Sequence, residues 1–363
     1  MAADTVPTSS DGIPDGIPAE HWLRQDAAEA AFAPSAGFCC TAFRVRPAGQ
    51  DGQWLKALAE PPSWAALRGR PAFFGNPLLF PFPMAIPGGA FTYRGERYAL
   101  RPTREGRVVH GLVRDHPWTV EQTWRDARGE HIRASISTAG DGDRLAEFPF
   151  PFRLAATYTL LGPTLTLETE ATNLGAQTMP LGLGIHPYVP LPLAPEAEGS
   201  RSEAGVTYSD VTHTVAVGQD GRTLDMIPAR GGVDLRTGQP VPDLLASQRA
   251  QRPRGGLLLS YARGTRPPAP SPAPTEGERA WAGVHWWLED CERGIVVEVE
   301  TDPQFWVLVL FAPPEPTAVI SPVLCTCLPN AFNLASHGHA SGMVELAPGE
   351  TWRARMRLRV RWS

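Results

Sequence analysis

Two segments of the chain place a histidine where it could move protons. His186 lies within Gly184–Tyr188, flanked by a glycine and a proline that restrict the backbone, and His110 opens the segment His110–Trp118. The ordinary pKa of histidine lies near neutrality, so its ring can donate or accept a proton at physiological pH. Both residues are candidates for acid–base chemistry. The alternative for His186 is a structural histidine in a strand-to-loop turn.

The elements that must position these histidines are β-strands. The chain has 38 prolines and 35 glycines, which argue against long helices. Short segments that alternate apolar and polar residues recur instead, which is typical of antiparallel strands. The predicted strands are Phe38–Val45, a hairpin within Ala90–Leu100, Val120–Trp124, His131–Ser137, Phe152–Leu160, Leu165–Thr172, Gly294–Glu300, Phe305–Phe311 and Trp352–Arg361. Only Trp64–Leu67 and Leu244–Arg249 are predicted to be helical, so the pattern favours an all-β sandwich over a βαβ fold.

The composition also predicts how the chain is divided. Residues 1–18 have neither a basic start nor an apolar run, so they are predicted to be a disordered leader rather than a signal peptide, which favours a cytoplasmic location. Residues 19–363 are predicted to form a single β-sandwich domain. A proline-rich surface insertion is predicted near 263–279, with an interdomain linker as the alternative.

Charge and cysteine usage exclude several classes of function. The net charge of -5 gives no electrostatic case for nucleic acid or an anionic membrane. No stretch approaches the roughly 18 apolar residues of a spanning helix. The five cysteines show no metal-binding spacing, and we expect them to be buried free thiols. We therefore predict no metal and no cofactor.

Four blocks, in order along the chain, resemble the aldose 1-epimerase (galactose mutarotase) family. They are Gly75–Pro83, His110–Trp118, Gly184–Tyr188 and Thr326–Leu334, the last followed by Leu346–Glu350. The resemblance extends from about Trp22 to Ser363. It implies a large antiparallel β-supersandwich of the galactose mutarotase type, a small-molecule sugar as the ligand and interconversion of α and β anomers.

The resemblance also implies roles for particular residues. His186 matches the histidine that protonates the ring oxygen, and His110 matches a second histidine that donates a hydrogen bond near that oxygen. Asp243 is the nearest match to an aspartate that holds sugar hydroxyls, although it could equally be a helix N-cap. Asn76 could donate to a hydroxyl, although it could instead cap the turn before Pro77.

The chain departs from the family at the catalytic base, which marks it as a divergent member. Val323–Thr326 stands where the family has Glu-Pro-Tyr-Thr, and a shifted alignment places Ser321 at the glutamate. No Asp or Glu occurs between Glu315 and Glu345. Loss of a general base typically costs about 10²–10⁴-fold in rate. Met84 and Ala85 also replace an Asn-Arg pair whose arginine contacts the sugar.

Replacements for this base are few. Cys325 could act as a thiolate, and His337 or His339 could act from the glycine-rich loop beyond the last block. Trp286 and Trp287 could stack on a sugar, but alternation along a strand sends them to opposite faces, and core packing is the better interpretation.

Two hypotheses follow for function. The first is an aldose 1-epimerase with a relocated base. The second is a carbohydrate-binding protein on the same fold without appreciable turnover, because the glutamate is missing. The sequence leaves open whether the protein is a monomer or a homodimer.

Overall fold

The computed structural model describes residues 17–46, 54–103, 106–193, 205–251, 257–265, 281–313 and 319–362. Most of the predicted leader (1–18) and most of the predicted insertion (263–279) lie outside these residues. Within the described ranges, no helix is both long enough and apolar enough to cross a membrane.

The described residues contain twenty-five strands. They are β1 His21–Gln25, β2 Ala28–Ala33, β3 Cys39–Val45, β4 Leu55–Lys56, β5 Leu78–Leu79, β6 Ala90–Tyr93, β7 Glu96–Ala99, β8 Thr119–Asp126, β9 Gly129–Ser137, β10 Phe152–Leu161, β11 Thr164–Asn173, β12 Met179–Leu181, β13 Gly184–Ile185, β14 Val189–Pro190, β15 Val206–Ser209, β16 His213–Val217, β17 Leu224–Pro228, β18 Gln239–Pro240, β19 Leu257–Ala262, β20 His285–Asp290, β21 Ile295–Thr301, β22 Val307–Ala312, β23 Val319–Cys325, β24 Val344–Leu346 and β25 Thr351–Trp362. The predicted strands and the predicted hairpin are all present.

Four short α-helices connect the strands of the described chain. They are α1 Trp64–Gly69, α2 Gly142–Glu147, α3 Val241–Gln251 and α4 Ala331–Ser336. The sequence predicted α1 and α3 but not the other two. Asp141 caps α2 by accepting a hydrogen bond from the Arg144 amide, whereas α4 follows Asn330 in the left-handed region without a side-chain cap.

Two large antiparallel sheets form the body of the fold. One has nine strands in the order β18-β15-β20-β21-β25-β11-β10-β9-β8, and the other runs β17-β16-β19-β22-β23-β13-β5 with β14 added beside β23. A four-stranded sheet of β1 to β4 and the β6–β7 hairpin lie beside them. The all-β supersandwich predicted from the sequence is confirmed.

Side-chain alternation divides the eight-stranded sheet into two faces. On one face Leu308, Leu310 and Leu324 join the main core, together with Val297 and Leu358 of the nine-stranded sheet. The opposite face carries a separate apolar cluster in which Val309 is paired with Val323 across β22 and β23. This second face is the one that bears the cavity of the candidate site.

Candidate active site

A cavity of about 440 Å³ lies on the second face of the eight-stranded sheet. Its floor consists of four apolar side chains from β19, β22 and β23: Leu258, Val309, Phe311 and Val323. Its walls come from the segment after α1 and from the loops that carry the two candidate histidines. His110 and His186 therefore line the same cavity, although 76 positions separate them in the sequence.

His186 is held at the end of β13 by a chain of hydrogen bonds. Its Nδ1 lies 2.6 Å from the Ser321 hydroxyl, which itself donates to the Pro187 carbonyl at 2.7 Å. Because the hydroxyl proton is used there, Nδ1 must carry the proton it shares with Ser321. Burial, together with the nearby His110, lowers the pKa of His186 well below its usual value. His186 is therefore a neutral imidazole at physiological pH.

Tyr188 covers the other side of the His186 ring. The two rings stack at a centroid distance of 4.5 Å and an interplanar angle of 10°. The Tyr188 hydroxyl donates to the Ala72 carbonyl at 2.6 Å, and its oxygen lies 3.2 Å from Nε2 of His186. Because the two rings are nearly parallel, this oxygen lies over the face of the imidazole rather than in the direction of an Nε2–H bond.

His110 approaches His186 from a loop, and the two ring centroids are 5.4 Å apart. Its Nδ1 donates to the Pro83 carbonyl at 2.6 Å, which leaves Nε2 as an acceptor in the neutral ring. Burial lowers the pKa of His110 to about 4, with Arg114 and Arg107 adding to the effect and the Pro83 hydrogen bond opposing it. In the neutral ring Nε2 would accept a hydrogen bond, whereas the family resemblance implies a donor, and the role of His110 towards a sugar stays a prediction.

The loop that carries His110 has an unusual backbone. His110 itself has a φ of 67°, and Gly111 after it has a φ of 68°. Consecutive residues in the left-handed region are costly for a side chain that is not glycine, and such strain is often found at functional sites. Arg114, which is buried, donates to the Val109 carbonyl and ties the loop together.

We expect acid to destabilise the wild-type protein more than a His110→Asn variant. At pH values between 6.5, the ordinary pKa of histidine, and about 4, the pKa of His110 in the folded protein, the unfolded chain binds a proton at this histidine that the folded chain does not bind. The free energy of unfolding of the wild type should therefore fall relative to that of the variant, by about 2–3 kcal/mol between about pH 7.5 and about pH 4.5. Asn is chosen because it tolerates a positive φ. Urea unfolding at each pH measures the difference.

The control for that prediction is His337→Asn, which changes an exposed histidine at the end of α4. Its difference from the wild type should stay nearly constant over the same pH range. An equally constant difference for His110→Asn would contradict the low pKa of His110.

Neither alignment to the family places a carboxylate at the position of the catalytic base. Val323 lines the cavity, while Ser321, from the shifted alignment, is fully buried against His186. Of the described residues that line the cavity, Asp115 alone has a carboxylate. Burial opposes ionisation of Asp115, but its hydrogen bond with His116 and the nearby Arg114 give it a lowered pKa. Asp115 is exposed.

The replacement bases suggested by the sequence do not line this cavity. Burial raises the pKa of the Cys325 thiol well above its usual value, which disfavours the thiolate. His337 is exposed at the end of α4. His339 lines a different cavity, where its Nε2 lies 2.8 Å from the Arg222 carbonyl.

Other candidates from the sequence are placed as follows. Met84 and Ala85 line the cavity, as expected for the positions of the family's Asn-Arg pair. Asn76 is fully buried and its backbone pairs with Cys40, away from the lining. Asp243 lies in the first turn of α3, also outside the lining.

The tryptophans and cysteines serve mainly as packing groups. Trp286 is fully buried and donates to the Thr207 hydroxyl at 2.8 Å, whereas Trp287, on the opposite face, stacks on Tyr208 at 5.0 Å. Four of the cysteines are buried free thiols as expected, but Cys291 is exposed because it lies in the turn after β20.

Sequence reasoning missed the cationic rim of the cavity. Arg68, Arg70, Arg107 and Arg114 all contribute to the lining. Arg70 stacks on Phe73 with its guanidinium 3.9 Å from the ring centroid. The segment after α1 carries no motif that links it to either histidine, so only the folded structure shows this contribution.

The fold is that of galactose mutarotase-like proteins. A galactose mutarotase-like protein from Clostridium acetobutylicum superposes with a TM-score of 0.73 over 93% of both chains, at 18% identity. A galactose 1-epimerase from Lactobacillus acidophilus superposes with a TM-score of 0.67 over 94% of both chains, at 17% identity. These similarities establish the fold.

The sequence itself places the chain within a family. A sequence model of the aldose 1-epimerase family matches residues 44–242, which is more than half of the chain. The protein therefore belongs to the aldose 1-epimerase family.

Its curated relatives are distant. The uncharacterized protein YphB of Escherichia coli is 24% identical over 289 residues, covering 78% of this chain and 83% of YphB. The uncharacterized protein YihR of the same organism is 31% identical over 118 residues, covering 31% of this chain and 35% of YihR. The chain thus spans about a third of YihR in that match.

Proposed function

We propose that the protein binds an aldose in the His110–His186 cavity and interconverts its α and β anomers, at a rate limited by the missing carboxylate base. The observation that carries the proposal is the convergence of both histidine rings, 5.4 Å apart, on one cavity of about 440 Å³. A pocket of this size is suited to a small ligand, and convergent polar groups on an apolar lining are typical of such sites. Membership of the aldose 1-epimerase family supports a sugar as that ligand.

The proposed reaction needs two proton transfers. His186, protonated at Nε2, gives that proton to the ring oxygen while an acceptor removes the proton of the anomeric hydroxyl, and the ring C–O bond breaks to form the aldehyde. After rotation of the carbonyl end, the reverse transfers close the other anomer. Nε2 of His110 and the carboxylate of Asp115 are the acceptors available in the lining.

The pKa values of the proposed acid and of the proposed acceptors do not suit these proton transfers. His110 with a pKa of about 4 is a weak base, and His186 with a lowered pKa is seldom protonated near neutrality. A general acid or base works best when its pKa lies near the operating pH. Turnover should therefore be slow, although sugar binding does not require either histidine to be charged.

A second candidate function is carbohydrate binding without turnover. Val323 at the position of the base favours it, because a valine cannot accept a proton. In this case the two histidines and Tyr188 serve only to bind hydroxyl groups.

We expect the wild-type protein to accelerate mutarotation of α-glucose or α-galactose above the spontaneous rate, and His186→Ala to abolish the acceleration. The physical reason is that His186 is the proposed source of the proton for the ring oxygen. The rate is measured by polarimetry on freshly dissolved sugar, and binding is measured by calorimetry. His186→Gln serves as a less disruptive second variant, because its amide can still donate to Ser321.

The matched control is His337→Ala, which removes an exposed histidine outside the cavity. Binding without acceleration would support the second candidate and overturn the first. If the protein neither binds the sugars tested nor accelerates their mutarotation, both candidate functions are contradicted for those sugars. Thermal unfolding of each variant excludes a folding defect as the cause.

A further inference from the structure

The charges that line the cavity are unbalanced. Four arginines contribute to it, against the single carboxylate of Asp115, and with both histidines neutral the lining carries a net charge of +3. The whole chain, by contrast, has a net charge of -5. The lining is thus net positive although the chain as a whole is net negative. A concave, low-dielectric site of one sign attracts ligands of the opposite sign.

The arginines approach the cavity from two sides. Arg70 stacks on Phe73 at 3.9 Å, Phe73 stacks on Tyr188 at 6.2 Å, and Tyr188 stacks on His186 at 4.5 Å. This row of planar groups aligns the Arg70 guanidinium with the His186 side of the cavity. Its charge also acts on Tyr188, whose pKa it lowers against the larger effect of burial.

The His110 side has its own pair of cations. Arg107 and Arg114 both line the cavity, and both disfavour the protonated form of His110. Arg114 is buried and fixed to the Val109 carbonyl, whereas Arg107 is exposed. A ligand held between the two histidines therefore has a cation within reach on either side.

Arg68 and Arg70 are the two rim arginines that are available for a ligand. Both are exposed, and within the described part of the chain neither forms an ion pair; each instead stacks on an aromatic ring, Arg68 on Trp64 at 5.0 Å and Arg70 on Phe73. Stacking holds a guanidinium in place while its N–H groups stay free to donate. A planar guanidinium recognises carboxylate, phosphate or sulfonate oxygens through paired hydrogen bonds.

We propose that the cavity selects an aldose that carries an anionic substituent, with the arginine rim binding the anion and the histidines facing the sugar ring. This inference rests on the proposed sugar site and names its substrate class. The anion is a carboxylate, a phosphate or a sulfonate, which share the recognition chemistry of an oxyanion. A neutral hexose lacks a group to match the rim.

The test compares the affinities of glucose, glucuronate and glucose 6-phosphate by calorimetry, at low salt and at about 0.5 M salt, where charges are strongly screened. At least one anionic sugar should bind about 10-fold tighter than glucose at low salt, and the advantage should shrink at high salt. Arg70→Gln should reduce that advantage about 5-fold, as expected for one partly screened charge-assisted contact. The exposed Arg128→Gln, outside the cavity, should leave it unchanged. The ranking of the two anions then distinguishes carboxylate from phosphate.

The outcomes separate this inference from the proposed function. Glucose that binds as tightly as both anionic sugars, with His186→Ala weakening its binding, would overturn the anionic substrate class and leave the sugar site standing. Anionic sugars that bind equally well to wild type, His186→Ala and Arg70→Gln would place the anion outside this cavity and overturn the inference. Absence of any sugar binding would contradict both.

Discussion

Val323→Glu should raise the rate of mutarotation by about 10²-fold or more over the wild type, because it restores a carboxylate to the position of the family's base. Val323 lines the cavity that holds both histidines, and its side chain projects from the same face of β23 as Ser321. A glutamate there can extend into the cavity instead of into the core. Polarimetry on the same sugars as for the wild type measures the gain.

The surroundings should allow that glutamate to ionise. Burial alone would raise its pKa, but the arginines that line the same cavity favour the charged form. An ionised carboxylate would also stabilise protonated His186, and so would improve the acid as well as supply the base. Both effects act on the same step, which is why we expect a large change from one substitution.

Val323→Gln is the matched control, since it has the shape of glutamate without the charge. The prediction fails if Val323→Glu is no faster than Val323→Gln in a folded protein. Ser321→Glu tests the shifted alignment: a gain there without one at Val323 would move the base position by two residues along β23. Positions 321 and 323 are both on the cavity side of the sheet, so a gain in rate at one of them alone identifies which alignment is right.

Gly111→Ala should remove ligand binding and destabilise the protein by more than about 3 kcal/mol, because two costs combine at this position. A Cβ at Gly111 would stand 2.0 Å from the Phe80 carbonyl oxygen, and the φ of 68° is itself unfavourable for alanine. The Leu112 amide donates to the same oxygen at 2.7 Å, so the clash would detach the His110 loop from the end of β5. Urea unfolding and calorimetry measure the two effects.

Gly106→Ala is the control that measures the cost of the left-handed backbone conformation without a steric clash. Gly106 has a φ of 75°, but an added Cβ would meet nothing within 4 Å. Its substitution should cost only about 1–2 kcal/mol for the left-handed conformation. If Gly111→Ala costs no more than Gly106→Ala, the close approach to Phe80 does not hold the His110 loop in place.

The strands were predictable because their patterns are local. Leu165–Thr172 alternates apolar and polar residues, and β11 buries alternate side chains in the main core. The helix α2 was not predicted, although Asp141 before it is a residue type that favours the N-cap position and does cap the helix. The helix α4 had no such signal, since Asn330 before it makes no side-chain cap.

The site was only partly predictable. His110 and His186 were identified from the family resemblance, whereas their 5.4 Å separation depends on how β5, β13 and the His110 loop meet. Arg70 reaches the cavity through contacts between segments that lie far apart in the sequence. Such contacts cannot be inferred from the spacing of residues along the sequence. The loss of the glutamate, with Val323 or Ser321 at its position, was visible in the sequence, but the location of Val323 in the cavity floor was not.

The apolar floor has a consequence for the water that a ligand must displace from the cavity. Leu258, Val309, Phe311 and Val323 offer no hydrogen bonds, so water molecules above them have partners only at the walls and in each other. Such weakly held water is released at little enthalpic cost when an apolar surface replaces it. A pyranose ring presents C–H groups on its faces and hydroxyls at its edge. The ring should therefore lie flat over the floor, and release of this water should favour that orientation while the hydroxyls point to the histidines and the rim.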